Sequence, residues 1–170
     1  TVAASGNFKI IQLQSGATAA TYSGNITNNE DLSTNFDLIA STGGTLTISG
    51  NISGGIATAG IEKLGAGTVI LSGANTYTGA TTISAGTLTV SAGALAGTSG
   101  ITVNGAIFAA ADYNLAAALT LNASATATIS AAGLNISGAI TSAGTATDAL
   151  NFSASTGTIT AFSGFDCVIR

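Results

Sequence analysis

The chain predicts an all-β fold in which small parallel strands stack as a β-solenoid, and three observations carry that prediction. Short runs that alternate apolar and polar residues, Thr68 to Leu71, Thr81 to Ile83 and Thr87 to Val90, are separated by glycines and a polar corner, and the same pattern recurs on both sides. Proline is absent from all 170 residues, as a stack of interior strands requires, because proline removes a donor from the backbone ladder. Glycine, with 23 residues, supplies corners where backbones crowd or φ turns positive.

Taken in order, residues 1–40 stand apart. They hold Lys9, Glu30, Asp31 and Asp37 and lack the Gly-Thr tetrads found later, so they read as an N-terminal edge, a cap or an exchangeable strand segment. Phe8 to Gln14 is the strongest strand there, and Asn28 to Asp31 a turn or protruding loop. Residues 41–170 read as the solenoid. Its tetrads begin at Gly44, Gly67, Gly86, Gly100, Ala118, Gly133 and Ala149. Their mean step is about 17 or 18 residues. At that step the chain has about eight or nine coils and a length of about 40 Å, since adjacent strands lie about 4.8 Å apart.

Alternation assigns the inward positions. They are Leu46/Ile48, Val69/Leu71, Leu88/Val90, Ile101/Val103, Leu119/Leu121, Leu134/Ile136 and Leu150/Phe152. Stacked rung on rung, these pairs form aliphatic ladders that drive folding without metal or disulfide. The core they build is narrow, because the 46% hydrophobic content includes only 5% aromatics and no Trp or Met.

Charge and residue types then remove whole classes of function. Three Lys or Arg against seven Asp or Glu give a net charge of −4, with no basic stripe for nucleic acid and no basic cluster for anionic membrane. The uncharged interval Leu64 to Ala111 is broken by Gly, Thr and Ser too often to form a spanning helix, and the aromatics are too few for the girdles of a membrane barrel. With no His and one Cys, Ser-His-Asp and Cys-His catalysis and the usual zinc sites are out of reach within one chain. Asp112, Asp148 and Asp166 are far apart in sequence, and no Asp follows Gly43-Gly44 or Gly54-Gly55 as a calcium roll requires. We therefore expect no enzyme, no cofactor and no metal site.

The remaining polar and aromatic residues read as structural. Asn51, Asn75 and Asn104 sit near tetrad ends, where asparagine tolerates left-handed geometry and stacks into amide ladders. Threonines two apart, Thr45/Thr47, Thr87/Thr89, Thr126/Thr128 and Thr158/Thr160, would make a hydroxyl array if they shared an exposed face; ice binding is then conceivable, and a plain strand-forming outer face is the simpler reading. Tyr22, Tyr77, Phe108 and Phe162 are expected at corners and ends of the stack, and Cys167 as a small buried apolar residue or an intermolecular crosslink.

The stretch Lys63-Leu-Gly-Ala-Gly-Thr-Val-Ile-Leu-Ser-Gly-Ala-Asn-Thr-Tyr-Thr-Gly79, followed by Thr81-Thr-Ile-Ser-Ala-Gly-Thr-Leu-Thr-Val90, closely resembles the autotransporter-associated β-strand repeat. The resemblance is best over residues 44–106, and its most specific part is the corner containing Asn75, Thr76, Tyr77 and Gly79. It implies a right-handed parallel β-helix, extracellular or displayed on a bacterial cell surface. It implies no particular activity.

Two functions of different class follow. In the first, apolar terminal segments, with Phe8, Ile10, Ile11 and Leu13 at one end and Phe165, Val168 and Ile169 at the other, pair between copies. Subunits then join head to tail into an extracellular filament, because a heterologous contact propagates rather than closes. In the second, the chain is part of a longer passenger, an adhesin or toxin stalk that meets a host or neighbouring cell through loops such as Thr27 to Asn35.

Overall fold

The computed structural model describes residues 10–28, 35–54, 60–91, 93–111, 114–122, 124–130, 134–142, 148–152, 157–159 and 162–163. Every regular element among them is a strand, and every pairing is parallel. The first two turns of chain run β1 (Ile10–Leu13), β2 (Ala19–Tyr22), β3 (Ile26–Asn28), then β4 (Phe36–Ala40), β5 (Thr45–Ile48), β6 (Ile52–Gly54). The next two are two-stranded: β7 (Ile61–Leu64) and β8 (Thr68–Leu71), then β9 (Thr81–Ile83) and β10 (Thr87–Val90). Three strands per turn return with β11 (Gly100–Asn104), β12 (Ile107–Ala111), β13 (Asn114–Leu115), and with β14 (Ala118–Asn122), β15 (Thr126–Ser130), β16 (Leu134–Ile136). The series ends in β17 (Ile140–Ser142), β18 (Ala149–Phe152), β19 (Gly157–Ile159) and β20 (Phe162–Ser163).

These strands sort into a β-solenoid with three faces. One face is the eight-stranded sheet β1-β4-β7-β9-β11-β14-β17-β20, and the second is the seven-stranded sheet β2-β5-β8-β10-β12-β15-β18. The third is split into a pair, β3-β6, and a triplet, β13-β16-β19. Strands β1 to β4 of the first forty residues lie in the same sheets as the later strands.

Alternation places the core where the sequence indicates. Leu46, Ile48, Val69, Leu71, Leu88, Val90, Ile101, Val103, Leu119 and Leu121 are all buried, while the side chains of Leu134, Ile136, Leu150 and Phe152 lie outside the described set. Phe108, expected at a corner or end, instead stacks on Leu88 inside the seven-stranded sheet and is fully buried.

The tetrads do not form a single stack. Those at Gly44, Gly67 and Gly86 lead into β5, β8 and β10 of the seven-stranded sheet, but those at Gly100 and Ala118 belong to β11 and β14 of the eight-stranded one. The true register runs Ala19↔Thr45↔Thr68↔Thr87↔Ile107↔Thr126↔Ala149, steps of 26, 23, 19, 20, 19 and 23 residues. A rung is therefore longer than the tetrad spacing suggests. The reason is that a Gly-Thr-apolar tetrad marks the entry to a half-buried strand on any face, and two faces of one rung can each carry it.

Candidate functional site

The third face changes character at the two rungs between β6 and β13. There the chain runs through residues 72–80, 91 and 93–99, which form no strand, so part of the backbone ladder is replaced by side-chain bonds. Backbone pairing persists at the Thr76 N–H, which donates to Ile52 O at 2.8 Å, and at the Ser99 N–H, which donates to Gly79 O at 3.3 Å.

Asn75 holds three rungs together. Its Oδ1 accepts from the Ile52 N–H of the preceding rung at 2.8 Å, and its Nδ2 donates to Ala94 O of the following one at 2.8 Å. Asn51 does the same work one step earlier, accepting from the Ala74 N–H at 2.9 Å, and its own N–H donates to Asn25 Oδ1 at 3.0 Å. Further along the stack, at the ends of β11 and β14, Asn122 Nδ2 donates to Asn104 Oδ1 at 2.9 Å. The corner asparagines thus serve as inter-rung connectors.

Tyr77 lies inside the solenoid at 2% exposure, not at its margin. Its hydroxyl is 2.7 Å from Thr81 Oγ1, which is 3.0 Å from Thr98 Oγ1. Thr98 donates to Gly79 O at 2.9 Å, with Gly100 O at 3.1 Å. That commits the Thr98 proton to a carbonyl, so Thr98 accepts from Thr81 and Thr81 from Tyr77, a directed chain of hydroxyls across two rungs.

Lys63, which sequence reasoning passed over, is fully buried in the core column between Leu38 and Ile83. Its Nζ donates to Leu64 O at 2.9 Å, Gly65 O at 2.6 Å and Ala85 O at 2.9 Å. An ammonium has three donors, and three carbonyls from two successive turns take them all. Burial pushes its pKa down from 10.5 to about 8. The signal that could have found it is the alternation Ile61-Glu62-Lys63-Leu64, which puts Lys63 on the face of Ile61.

Glu62 points the other way. It stacks on Asp37 of the preceding rung, and its Oε1 accepts from Ser84 Oγ at 2.6 Å. Burial, and then the Glu62 charge, raise the Asp37 pKa above 3.8. Asp148, also buried, accepts from the Ala125 N–H of the rung before at 3.0 Å and from the Ser142 hydroxyl. Among the described residues no three His, Cys, Asp or Glu side chains gather as a metal site.

Of the residues expected at self-association surfaces, Ile10 is 51% exposed, Ile11 packs on the core and Leu13 is buried. Phe8, Phe165, Val168, Ile169 and Cys167 lie outside the described residues.

The segment that holds Lys63, Asn75, Tyr77 and Thr81 coincides with a known unit. Residues 61–90 match the family model of the passenger-associated-transport-repeat. This segment is similar to an autotransporter passenger repeat. The passenger repeat spans β7 to β10, the two rungs whose third face is closed by side chains. The match suggests an autotransporter passenger region, and the repeat family implies a secreted or cell-surface location. No curated protein and no solved structure matches the chain.

Proposed function

We propose that the chain is a non-enzymatic structural segment of an exported passenger, a solenoid whose task is to hold a straight, protease-resistant stack outside the cell. One observation carries this reading. All five buried polar side chains among the described residues, Lys63, Asn75, Thr81, Thr98 and Asp148, bond to a neighbouring rung. Groups committed in this way tie coils together and are not left available for chemistry. Limited proteolysis with small-angle scattering of the purified chain tests it: an elongated, protease-resistant particle is expected, and a compact or readily digested one counts against it.

A second reading, head-to-tail assembly into a filament, draws on Ile10. It is the large apolar residue most exposed on the outward column of β1, which has a sheet partner on one side only among the described residues. Such an edge pairs with whatever strand follows, whether from the same polypeptide or from another copy. Negative-stain microscopy over a concentration series separates the two: filaments that lengthen with concentration support assembly, and monodisperse rods support the stalk alone.

A further inference from the structure

The seven-stranded sheet turns two columns of side chains away from the core, and their content is unusual. Three of its rungs present Thr-x-Thr: Thr45 and Thr47 on β5, Thr87 and Thr89 on β10, Thr126 and Thr128 on β15. The register assigns all six to the same two columns, with Thr68 bridging Thr45 and Thr87. No charged or aromatic residue stands in either column among the described side chains; the intervening positions are Ile70, Ile107 and Ala109.

Register without slip makes this a two-dimensional grid. Adjacent rungs lie about 4.8 Å apart and alternate residues of one strand about 6.7 Å apart. Both spacings are close to repeats of the ice lattice. Threonine is β-branched and stiff at χ1, so each hydroxyl and methyl is held in place before any ligand arrives. All six side chains are half-buried, shoulder to shoulder with their column neighbours, so they form a continuous surface and not separate pegs.

Other occupants fit this face poorly. A stable protein partner covers about 800 Å² on each side. A strip seven rungs long and two columns wide offers only a few hundred Å². A sugar ring would need an aromatic platform, and an ion would need a charge, neither of which the columns hold. We propose that this face binds ice, with the Thr-x-Thr rungs of β5, β10 and β15 fixing the water layer that merges with the lattice. Hydroxyls hydrogen-bond that layer and methyls confine it, while Ile70, Ile107 and Ala109 extend the apolar share.

Thermal hysteresis and ice-crystal shape, recorded with the purified chain, test the proposal. Faceted crystals and measurable hysteresis are expected from the native chain. The pair Thr47→Lys and Thr87→Lys is expected to lose hysteresis severalfold. Thr102→Lys, on the outer face of the eight-stranded sheet, is expected to keep it. The Thr47→Val and Thr87→Val pair preserves strand propensity and the methyls, and is expected to lose only part. Round, unfaceted crystals from the native chain overturn the proposal, as does equal activity in the Thr47/Thr87 and Thr102 variants. Circular dichroism establishes that each variant is folded.

Discussion

Lys63 Nζ lies 2.9 Å from the carbonyl oxygen of Ala85, a bond that crosses from one rung of the passenger repeat to the next. A buried ammonium gains its place here because two more carbonyls, of Leu64 and Gly65, complete its coordination. Lys63→Ala removes the buried stem and leaves three carbonyls without their donor. The expected loss is on the order of 2 kcal/mol, read from urea denaturation, with Lys63→Met recovering part of it by refilling the space.

The same lysine sets a pH dependence. Its pKa in the folded chain, about 8, lies below the unfolded 10.5, so between those values the unfolded chain holds more protons. Its contribution to stability therefore rises with pH across that window, and below it the cost of burying the charge is fully present. The stability of the native chain relative to Lys63→Met is expected to improve between about pH 7 and pH 10. An unchanged difference would show that the ammonium is not buried as described.

Tyr77 heads the hydroxyl chain through Thr81 and Thr98. Tyr77→Phe keeps the ring and deletes the donor, so a loss of about 1–2 kcal/mol is expected. In a double-mutant cycle with Thr98→Val, the two losses should fall short of additivity, because each substitution breaks the same network.

Asp37 and Glu62 stack with like charge on the outer face. The Asp37 pKa is raised by burial and by Glu62, so the folded chain binds its proton more readily than the unfolded one. Its contribution to stability is thus better at acid pH and falls as pH rises from 3.8 through the folded value. At neutral pH Asp37→Asn should stabilise by up to about 0.5 kcal/mol, and the gain should shrink in high salt, which screens exposed charges. Thermal melts at two salt concentrations check this.

Two glycines separate steric need from conformational need. A Cβ on Gly60 would lie 1.8 Å from Ala80 O of the next rung, whereas one on Gly43 meets nothing within 4 Å and only φ, at +73°, opposes it. Gly60→Ala should cost several kcal/mol because backbone must move, and Gly43→Ala about 1 kcal/mol. Comparable denaturation midpoints for the two variants would contradict the rung spacing at β7 and β9.

The sequence by itself determined that the chain is all-β and stacked in parallel. It also determined which aliphatics face inward at Leu46, Val69, Leu88 and Leu119, since period-two alternation reports burial directly. Only the tertiary structure decided which strand lies on which, because alternation has no memory of the face it belongs to. The tetrads at Gly86 and Gly100 look alike and enter different sheets. Tertiary structure likewise decided which carbonyls hold the Lys63 ammonium, that Tyr77 meets Thr81 and through it Thr98, and that the Thr-x-Thr pairs of β5, β10 and β15 share one face. Most of these relations join residues one or two rungs apart, some twenty to forty positions along the chain, and the length of each rung is set by corners whose hydrogen bonds form only once the next coil is in place.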